Sequence, residues 1–333
     1  MHDPVGAQRK RELASLRRSA REVLDSYGLD SASLKLLSHF CNTTYLVQAE
    51  DGDRFVLHEY RFFDSSIPED RRLDWIEAEL WWLGKVRTGT GLWVPELVPA
   101  QNGRNVTVGI DDNGDGAIPC VLFRWIDGRF LSRGLRPRHL ESVGQMTARL
   151  HNFSSTLSIP PNLCRGQVDR LDASTQREMV KAFAAARSAE AGALAEAAID
   201  RVLEAKRVLG TSANTFGLIH ADIHQKNYLF AGHQIALIDF GDCGFGCHLY
   251  DLAVTINELY RHPDPRSLRA ALLAGYRMER RLSPKHEGLI DAFVLLRKLQ
   301  DLSSFFANPD GPTLPAHILD QHLGEMRKML AAG

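Results

Sequence analysis

The sequence predicts an α+β fold in which a strand-rich first part precedes a mainly helical second part. Residues 33–60 contain two runs of alternating apolar and polar residues on either side of an Asp51-Gly52 turn, a pattern typical of a β-hairpin. After Gly128 the apolar residues instead recur at the spacing of a helix face. We therefore expect an antiparallel sheet in the first part and packed helices in the second.

Two helices are predicted within the strand-rich part. Residues 8–27 carry apolar side chains at helical intervals, which indicates an amphipathic first helix. Its arginines would also suit a transit peptide or a membrane-surface helix, but Glu12, Glu22 and Asp25 favour packing against the domain. Residues 69–86 have the apolar spacing of a second helix.

The second part is predicted to be helical over 137–152 and to contain one or two helices over 173–208. A further helical set runs from Asp251 to Leu330. It is interrupted by proline at positions 263, 265, 284 and 312.

Two short motifs carry the chemistry. They are His220-x-Asp222-x-x-x-x-Asn227 and an Asp-Phe-Gly triplet that begins at Asp239. Phosphoryl transfer requires oxygen donors that position a hydroxyl group, a triphosphate and the metal ions that neutralise it. At this spacing the Asp222 carboxylate can accept the proton of a hydroxyl group, while Asn227 and Asp239 can bind Mg²⁺.

The first motif alone is a weak signal, because it should occur by chance in roughly a few in a hundred chains of this size. The second motif strengthens it. Asp239 follows Asn227 by twelve residues and ends the apolar run 235–238, with an Ala231-Gly232 turn between the two motifs. This strand, turn and strand context is what the catalytic and metal-binding loops of a kinase require.

These residues resemble the aminoglycoside phosphotransferase-like kinases, which include antibiotic kinases, homoserine and choline kinases and a bacterial stress-response protein kinase. The resemblance is specific in residues 218–230 and 236–253 and extends more weakly over 30–270. His224 stands two residues after the catalytic aspartate, where ordinary protein kinases carry lysine. The resemblance implies a two-lobed protein-kinase-like fold, ATP or GTP as phosphoryl donor, Mg²⁺, and a hydroxyl group as acceptor.

By this resemblance the chain divides into four segments. They are an N-terminal amphipathic helix at 1–30, a nucleotide-covering lobe with an antiparallel sheet and one main helix at 31–123, a hinge at 124–128, and a mainly helical lobe with the catalytic loops and the acceptor-binding helices at 129–333. We expect Pro309-Asp310-Gly311-Pro312 to form a loop that borders the acceptor pocket.

The nucleotide-binding residues are expected in the first lobe and the hinge. Val56 and His58 share one face of a strand, where Val56 would cover the adenine and His58 would replace the phosphate-binding lysine of kinases. Glu79 matches the helix glutamate that pairs with this lysine position, although a lone glutamate facing water would look the same. The backbone near Arg124 and Ile126 would contact the adenine edge, or would simply lead out of a strand.

His58 is the largest departure from the kinase pattern. With an ordinary pKa of about 6.5, a histidine is only partly charged at neutral pH unless phosphates raise that pKa. Lys35 and Arg61 are alternative cations, although Arg61 points to the other face if the strand runs straight. The predicted loop 38–44 contains no glycine, so hydroxyl groups and backbone amides would contact the phosphates there.

Four residues are expected to support the two loops. We expect His220 to pack against Phe240 and brace the catalytic loop. His224 either contacts the acceptor or hydrogen-bonds the loop, and Asp242 either assists the metal or caps a turn. The resemblance favours a structural bond from Asp251 to the catalytic-loop backbone.

Three functions remain open from the sequence. The first is a small-molecule kinase, favoured because the catalytic loop lacks the protein-kinase lysine and no activation segment ending in Ala-Pro-Glu is present. The second is a Ser/Thr protein kinase of the stress-response type. The third is a nucleotide-binding pseudokinase, which the histidine at position 58 would suit.

Composition limits the partners. Forty basic and forty-one acidic residues give a net charge of −1, which predicts binding to neither nucleic acid nor an anionic membrane. No secretory signal or apolar run of membrane-spanning length is present, so we expect a cytoplasmic protein. The five scattered cysteines predict reduced thiols, and the oligomeric state is not predicted.

Overall fold

The computed structural model describes residues 4–39, 42–61, 67–111, 116–131, 134–232, 234–307 and 314–332. The predicted loop at 309–312 lies outside these residues. The chain forms two compact units, Met1–Gly128 with Pro160–Cys164 and Arg129–Ile159 with Arg165–Gly333. The α+β prediction is confirmed, because strands form the sheet of the first unit and helices make up most of the second.

The first unit contains two long helices and an antiparallel sheet. The helices are α1 (Pro4–Asp25) and α2 (Arg72–Thr90), which follows a 3-10 turn at Glu69–Arg71. The strands are β1 (Ser33–His39), β2 (Thr43–Gln48), β3 (Arg54–Glu59), β4 (Leu97–Val98), β5 (Thr107–Asp111) and β6 (Gly116–Arg124). They pair in the order β1-β2-β3-β6-β4, with β5 also paired to β6.

Helix α1 packs on the sheet, as its amphipathic sequence predicts. Its side chains Leu16 and Val23 join a buried core that includes Leu57 of β3. The helix approaches β5 closely at Gly109, where an added Cβ would lie 2.0 Å from Ser19 Oγ. Glycine at this position therefore allows α1 and β5 to come together.

Strand β3 presents two different faces. Phe55 and Leu57 belong to the core that α1 covers, so Val56 and His58 share the other face, as predicted. The His58 ring stacks on Tyr60, two residues later, with centroids 4.4 Å apart and an interplanar angle of 7°. The alternation thus continues past the end of the strand.

The second unit is mainly helical. Its helices are α3 (Pro137–Ser154), α4 (Ala173–Ala186), α5 (Ala189–Leu209), α6 (His248–Leu259), α7 (Pro265–Glu279), α8 (Pro284–Glu287), α9 (Ile290–Ala307) and α10 (Ala316–Ala331). Its strands are β7 (Phe216–Ile219), β8 (Tyr228–Ala231), β9 (Gln234–Leu237) and β10 (Gly244–Cys247). Pro265 and Pro284 each begin a helix, a position where the missing N–H has no helical partner to lose.

The predicted loop 38–44 is shorter than expected. Ser38 and His39 belong to β1 and pair with Thr44 and Thr43 of β2. The strand ends carry polar side chains and therefore lack the apolar pattern from which strands are predicted. They pair all the same, because strand pairing uses backbone groups. Phe40 and Cys41, between the strands, lie outside the described residues.

The described helices include none that is both long and apolar enough to cross a lipid bilayer.

Candidate active site

Both motifs lie in the second unit, where two small sheets bring them side by side. The catalytic loop, residues 220–227, joins β7 to β8, and the metal loop, residues 238–243, joins β9 to β10. Because β7 pairs with β10 and β8 pairs with β9, each loop is anchored on strands that flank the other. The Ile238 amide also donates to the Asn227 carbonyl oxygen at 2.9 Å, which ties the two loops together.

Each loop contains one residue with a left-handed backbone. The φ angle is 68° at Ala221 and 63° at Asp239, and no other described residue except glycine has a positive φ. Such a conformation costs about 1–3 kcal/mol and persists only where surrounding contacts impose it. The fold therefore holds strained backbone beside Asp222 and at Asp239 itself.

Asp251, in the first turn of α6, holds the strained turn of the catalytic loop. Its side chain is fully buried, and it accepts hydrogen bonds from the backbone amides of His220 at 3.1 Å and Ala221 at 2.7 Å. Thr255, one turn later, donates to the Ile223 carbonyl oxygen at 2.7 Å. The predicted bond between Asp251 and the loop backbone is confirmed.

Asp251 is itself held by residues that the sequence did not single out. His151 Nε2 of α3 lies 3.0 Å from an Asp251 oxygen, and His151 Nδ1 lies 3.0 Å from the hydroxyl group of Tyr276 in α7. Burial, aided by the charge of Arg280, holds the pKa of His151 well below its usual value. The neutral ring thus donates to Asp251 and accepts from Tyr276, which ties the loop to two further helices.

His220 braces the two loops, as predicted. Its ring packs against Phe240, with centroids 4.7 Å apart. Its Nε2 lies 3.1 Å from the Ile238 carbonyl oxygen, and its Nδ1 accepts from the Asp222 amide at 3.2 Å. Burial lowers the pKa of His220, so the ring is neutral. Because both of its nitrogens have partners, the ring supports the loop structurally.

The Asp222 carboxylate is held at both oxygens. Oδ2 accepts from Asn227 Nδ2 at 2.8 Å and lies 3.1 Å from His224 Nε2, while Oδ1 accepts from Arg297 Nη2 at 2.9 Å. Burial alone would raise the pKa of this carboxyl group, but the His224 hydrogen bond and the Arg297 charge outweigh it and lower the pKa to about 2. Asp222 is therefore ionised at neutral pH and fixed in orientation.

Arg297 of α9 is the functional-site residue that sequence analysis missed. It lies 75 positions from Asp222, so no local motif contains both. A weak signal was present, because Arg297 and Asp301 place two opposite charges four positions apart in a helix that also carries Asp291 and Lys298.

The residues present fit a Mg²⁺ ion bound together with a nucleotide. Asn227 uses Nδ2 for two bonds to Asp222, at 3.0 Å to the carbonyl oxygen and 2.8 Å to Oδ2, which leaves its Oδ1 as the ligating atom. Asp239 is exposed, and carboxylate oxygens are ligands that Mg²⁺ uses in proteins. Mg²⁺ that also binds phosphates needs only one or two protein carboxylates.

His224 belongs to the catalytic loop's own hydrogen-bond network. Its Nδ1 accepts from the Lys226 amide at 3.1 Å, which directs Nε2 toward Asp222. Burial opposes protonation, but the hydrogen bond and charge of Asp222 prevail and raise the pKa of His224. Asp242 is exposed, so its predicted roles at the metal or in the turn are both still open.

In the first unit, His58 is buried without a charge partner of its own. Its side chain is 8% exposed, and its Nε2 has no hydrogen-bond partner among the described residues. Burial lowers the pKa of His58 to about 4, so the ring is neutral at pH 7.

The other first-unit candidates have partners of their own. Glu79 accepts a hydrogen bond from the Tyr60 hydroxyl group at 3.0 Å, so the ring stacked on His58 reaches this glutamate. Arg61 forms an ion pair with Glu12 of α1, which places it on the face opposite His58, as expected for a straight strand.

The expected adenine contacts fall at the end of β6. The Arg124 amide donates to the Glu96 carbonyl oxygen at 2.8 Å, so this N–H is already used within the first unit. Ile126 follows the strand and is partly buried, as is Val56 on β3. Of the two predicted backbone positions, Ile126 is therefore the better donor candidate.

Comparison with known proteins agrees with this geometry. The model of the phosphotransferase enzyme family, APH, matches residues 33–287. The chain is 23% identical over 296 residues to amicoumacin kinase of Bacillus subtilis (strain 168), which covers 84% of this chain and 81% of that protein. It is 28% identical over 242 residues to homoserine kinase of Methylobacillus flagellatus, which covers 71% and 64%.

Among solved structures, a microcompartment-associated aminopropanol kinase matches with a TM-score of 0.77 at 27% identity, over 94% of each chain. The amicoumacin kinase hAmiN in complex with AMP-PNP, Ca²⁺ and Ami matches with a TM-score of 0.71 at 21% identity, over 100% of this chain and 96% of that one. The kinase-like fold, the paired loops and the match over residues 33–287 together show that this chain belongs to the APH phosphotransferase enzyme family and is a phosphotransferase of the kinase type.

Proposed function

We propose that the chain transfers the γ-phosphoryl group of ATP or GTP, with Mg²⁺, to a hydroxyl group of a small amino alcohol. The observation that carries this proposal is the ionised Asp222 carboxylate, which is fixed at both oxygens and touches the Asn227 amide. It is the arrangement that in-line transfer to a hydroxyl group requires.

Each residue has a distinct role in this reaction. Asp222 accepts the hydrogen bond of the acceptor hydroxyl group and takes its proton as the bond from that oxygen to the γ phosphorus forms. The bond from the γ phosphorus to the β–γ bridging oxygen breaks at the same time, and the nucleoside diphosphate leaves. Because the pKa of Asp222 is about 2, it orients the hydroxyl group in the ground state and becomes a useful base only late in the transfer. Asn227 Oδ1 and Asp239 would hold Mg²⁺, which would neutralise charge on the phosphates.

The amino-alcohol class is supported by the relatives, whose names give amicoumacin, homoserine and aminopropanol as the compounds they act on. The proposed nucleotide contacts lie in the first unit, at Val56, His58, Glu79 and Ile126.

A screen tests the reaction. ATP and GTP, each with Mg²⁺, should raise the melting temperature of the wild-type chain. The complex of the amicoumacin kinase hAmiN with AMP-PNP and Ca²⁺ supports this expectation. Phosphate transfer from the better nucleotide is then measured with amino alcohols, aminoglycosides, sugars and a mixed protein substrate. We expect transfer to an amino alcohol, lost in Asp239→Asn and kept in Asp320→Asn, which changes a surface ion pair. Transfer that survives Asp239→Asn would refute the proposed metal site.

A second candidate function is nucleotide binding without turnover. It is favoured by the neutral, buried His58 at the position where kinases place a phosphate-binding cation. Nucleotide stabilisation without transfer to any acceptor in the screen would support it.

A further inference from the structure

Arg297 connects the catalytic aspartate to helix α9. Its Nη2 donates to Asp222 Oδ1 at 2.9 Å, and its Nε lies 2.8 Å from Asp301 Oδ1. Asp301 in turn accepts from Asn257 Nδ2 of α6 at 3.2 Å. Two helices therefore support one guanidinium group against the catalytic loop.

The ion pair between Arg297 and Asp222 differs from an ordinary salt bridge on a protein surface. Exposed ion pairs contribute little to stability, because water screens them and the side chains move. Here the Arg297 side chain is 21% exposed and Asp222 is 14% exposed. Burial, which opposes the charge, is outweighed by Tyr250 and the two aspartates, so the pKa of Arg297 is raised. The contact is thus a fixed, permanently charged one.

The two Asp222 oxygens differ in how many further hydrogen bonds they can accept. A carboxylate oxygen accepts about two hydrogen bonds. Oδ2 already has Asn227 and His224, whereas Oδ1 has the Nη2 bond from Arg297. An acceptor hydroxyl group can therefore bind at Oδ1, next to the guanidinium group.

Among the described residues, only Arg297 donates a hydrogen bond to Asp222 Oδ1. This bond is important because the carboxylate group of an aspartate rotates easily about its terminal torsion. The bond between Cβ and the carboxylate carbon has a broad, roughly two-fold rotational preference. Contacts at Oδ2 alone leave Oδ1 able to swing about that axis. A donor at Oδ1 removes this freedom.

We propose that Arg297, held by Asp301, is a positioning residue for phosphoryl transfer: it fixes the Asp222 carboxylate so that Oδ1 faces the acceptor hydroxyl group. This inference rests on the proposed function and deepens it. Arg297 acts through Asp222 and needs no contact with the nucleotide. Its loss should lower kcat and leave the nucleotide KM unchanged.

The test compares kcat and nucleotide KM in matched variants. Arg297→Gln should lower kcat by about tenfold to a hundredfold, because a misplacement of about 1 Å has effects of this size. Arg297→Lys should fall between wild type and Arg297→Gln, since lysine lacks the fork that reaches both aspartates. The control is Arg269→Gln, which also removes an arginine that pairs with an aspartate of α9, at Asp291 in the first turn. It should match wild type.

Chemical rescue separates positioning from a general structural effect. Guanidinium ion at concentrations below the unfolding transition should restore part of kcat to Arg297→Ala and none to Asp222→Ala. Asp301→Asn should lower kcat less than Arg297→Gln, and the double variant should be no worse than Arg297→Gln, because Asp301 acts through Arg297.

The outcomes distinguish this inference from the proposed function. Loss of transfer in Asp222→Ala with a wild-type kcat in Arg297→Gln overturns the positioning role and leaves the function standing. Transfer that survives in both variants overturns both. A fall in kcat that guanidinium does not rescue and that adds fully to Asp301→Asn also overturns the positioning role.

Discussion

The catalytic loop and strand β3 differ in how completely their polar side chains are satisfied. In the loop, Asp222 has partners at both oxygens and His220 has partners at both ring nitrogens. On β3, the His58 ring is almost as inaccessible, yet its Nε2 has no hydrogen-bond partner within the described chain. A buried polar atom without a partner is costly and needs an explanation, such as a water molecule or an ion that completes it.

The two regions therefore differ in how far protein contacts alone fix their polar side chains. The catalytic loop is preorganised by protein contacts alone, including the contact by which Asp251 holds the strained backbone at Ala221. The β3 position is neutral and incomplete, so we expect bound phosphate to supply the missing interaction.

The largest expected effect is at the preorganised loop. Asp222→Asn should lower kcat by about a hundredfold to ten-thousandfold, because it removes the group that receives the hydroxyl proton. Steady-state transfer to the acceptor identified in the screen measures this. Nucleotide affinity, measured by calorimetry, should stay close to wild type; a kcat within a few-fold of wild type would contradict the role of Asp222.

The next effect concerns what holds the loop. Asp251→Ala should lower the free energy of unfolding by about 3–5 kcal/mol, because it breaks a buried network and leaves the His220 and Ala221 amides unsatisfied. Urea denaturation measures it. The same substitution at Asp264, an exposed cap whose side chain accepts from Ser267, should cost only about 1 kcal/mol. Equal losses at both sites would show that the loop is not anchored through Asp251.

At β3 the contrast predicts a gain. His58→Arg should tighten Mg²⁺-ATP binding by about tenfold, since a hydrogen bond to a charged group contributes about 1.5–3 kcal/mol. His58→Gln, which adds no charge, should bind like wild type. The dissociation constants are measured by calorimetry. Identical affinities for the two variants would show that residue 58 does not contact the bound phosphates.

The smallest effect is a pH dependence of stability. Burial lowers the folded-state pKa of His58 to about 4, from its ordinary value of 6.5, so the unfolded chain binds the proton more tightly. The stability contributed by the neutral ring is therefore complete above pH 6.5 and is lost as the pH falls toward 4. Between pH 7 and 5.5 the wild type should lose about 1 kcal/mol more than His58→Gln in urea denaturation. Parallel losses would mean that His58 is hydrated in the folded chain.

Features that depend on residues close together in the sequence were predictable. Asp222, Asn227 and Asp239 could be predicted as site residues because a short loop or hairpin places residues of fixed spacing close together. The pairing of β2 with β3 and the amphipathic α1 were predicted for the same local reason, since periodicity reports which face of an element is buried. Polar strand ends such as Ser38 and Thr44 were missed because they carry no periodic signal.

The amino-acid order alone therefore determined the strand-then-helix organisation, the two reactive loops and the family to which they point. The packing of distant helices decided the rest: that Arg297 reaches Asp222, that His151 supports Asp251, and that Tyr60 rather than a lysine contacts Glu79. These contacts join residues 75, 100 and 19 positions apart. Chain connectivity constrains neighbours within a few residues, whereas contacts at such separations exist only once the helices and sheet have packed.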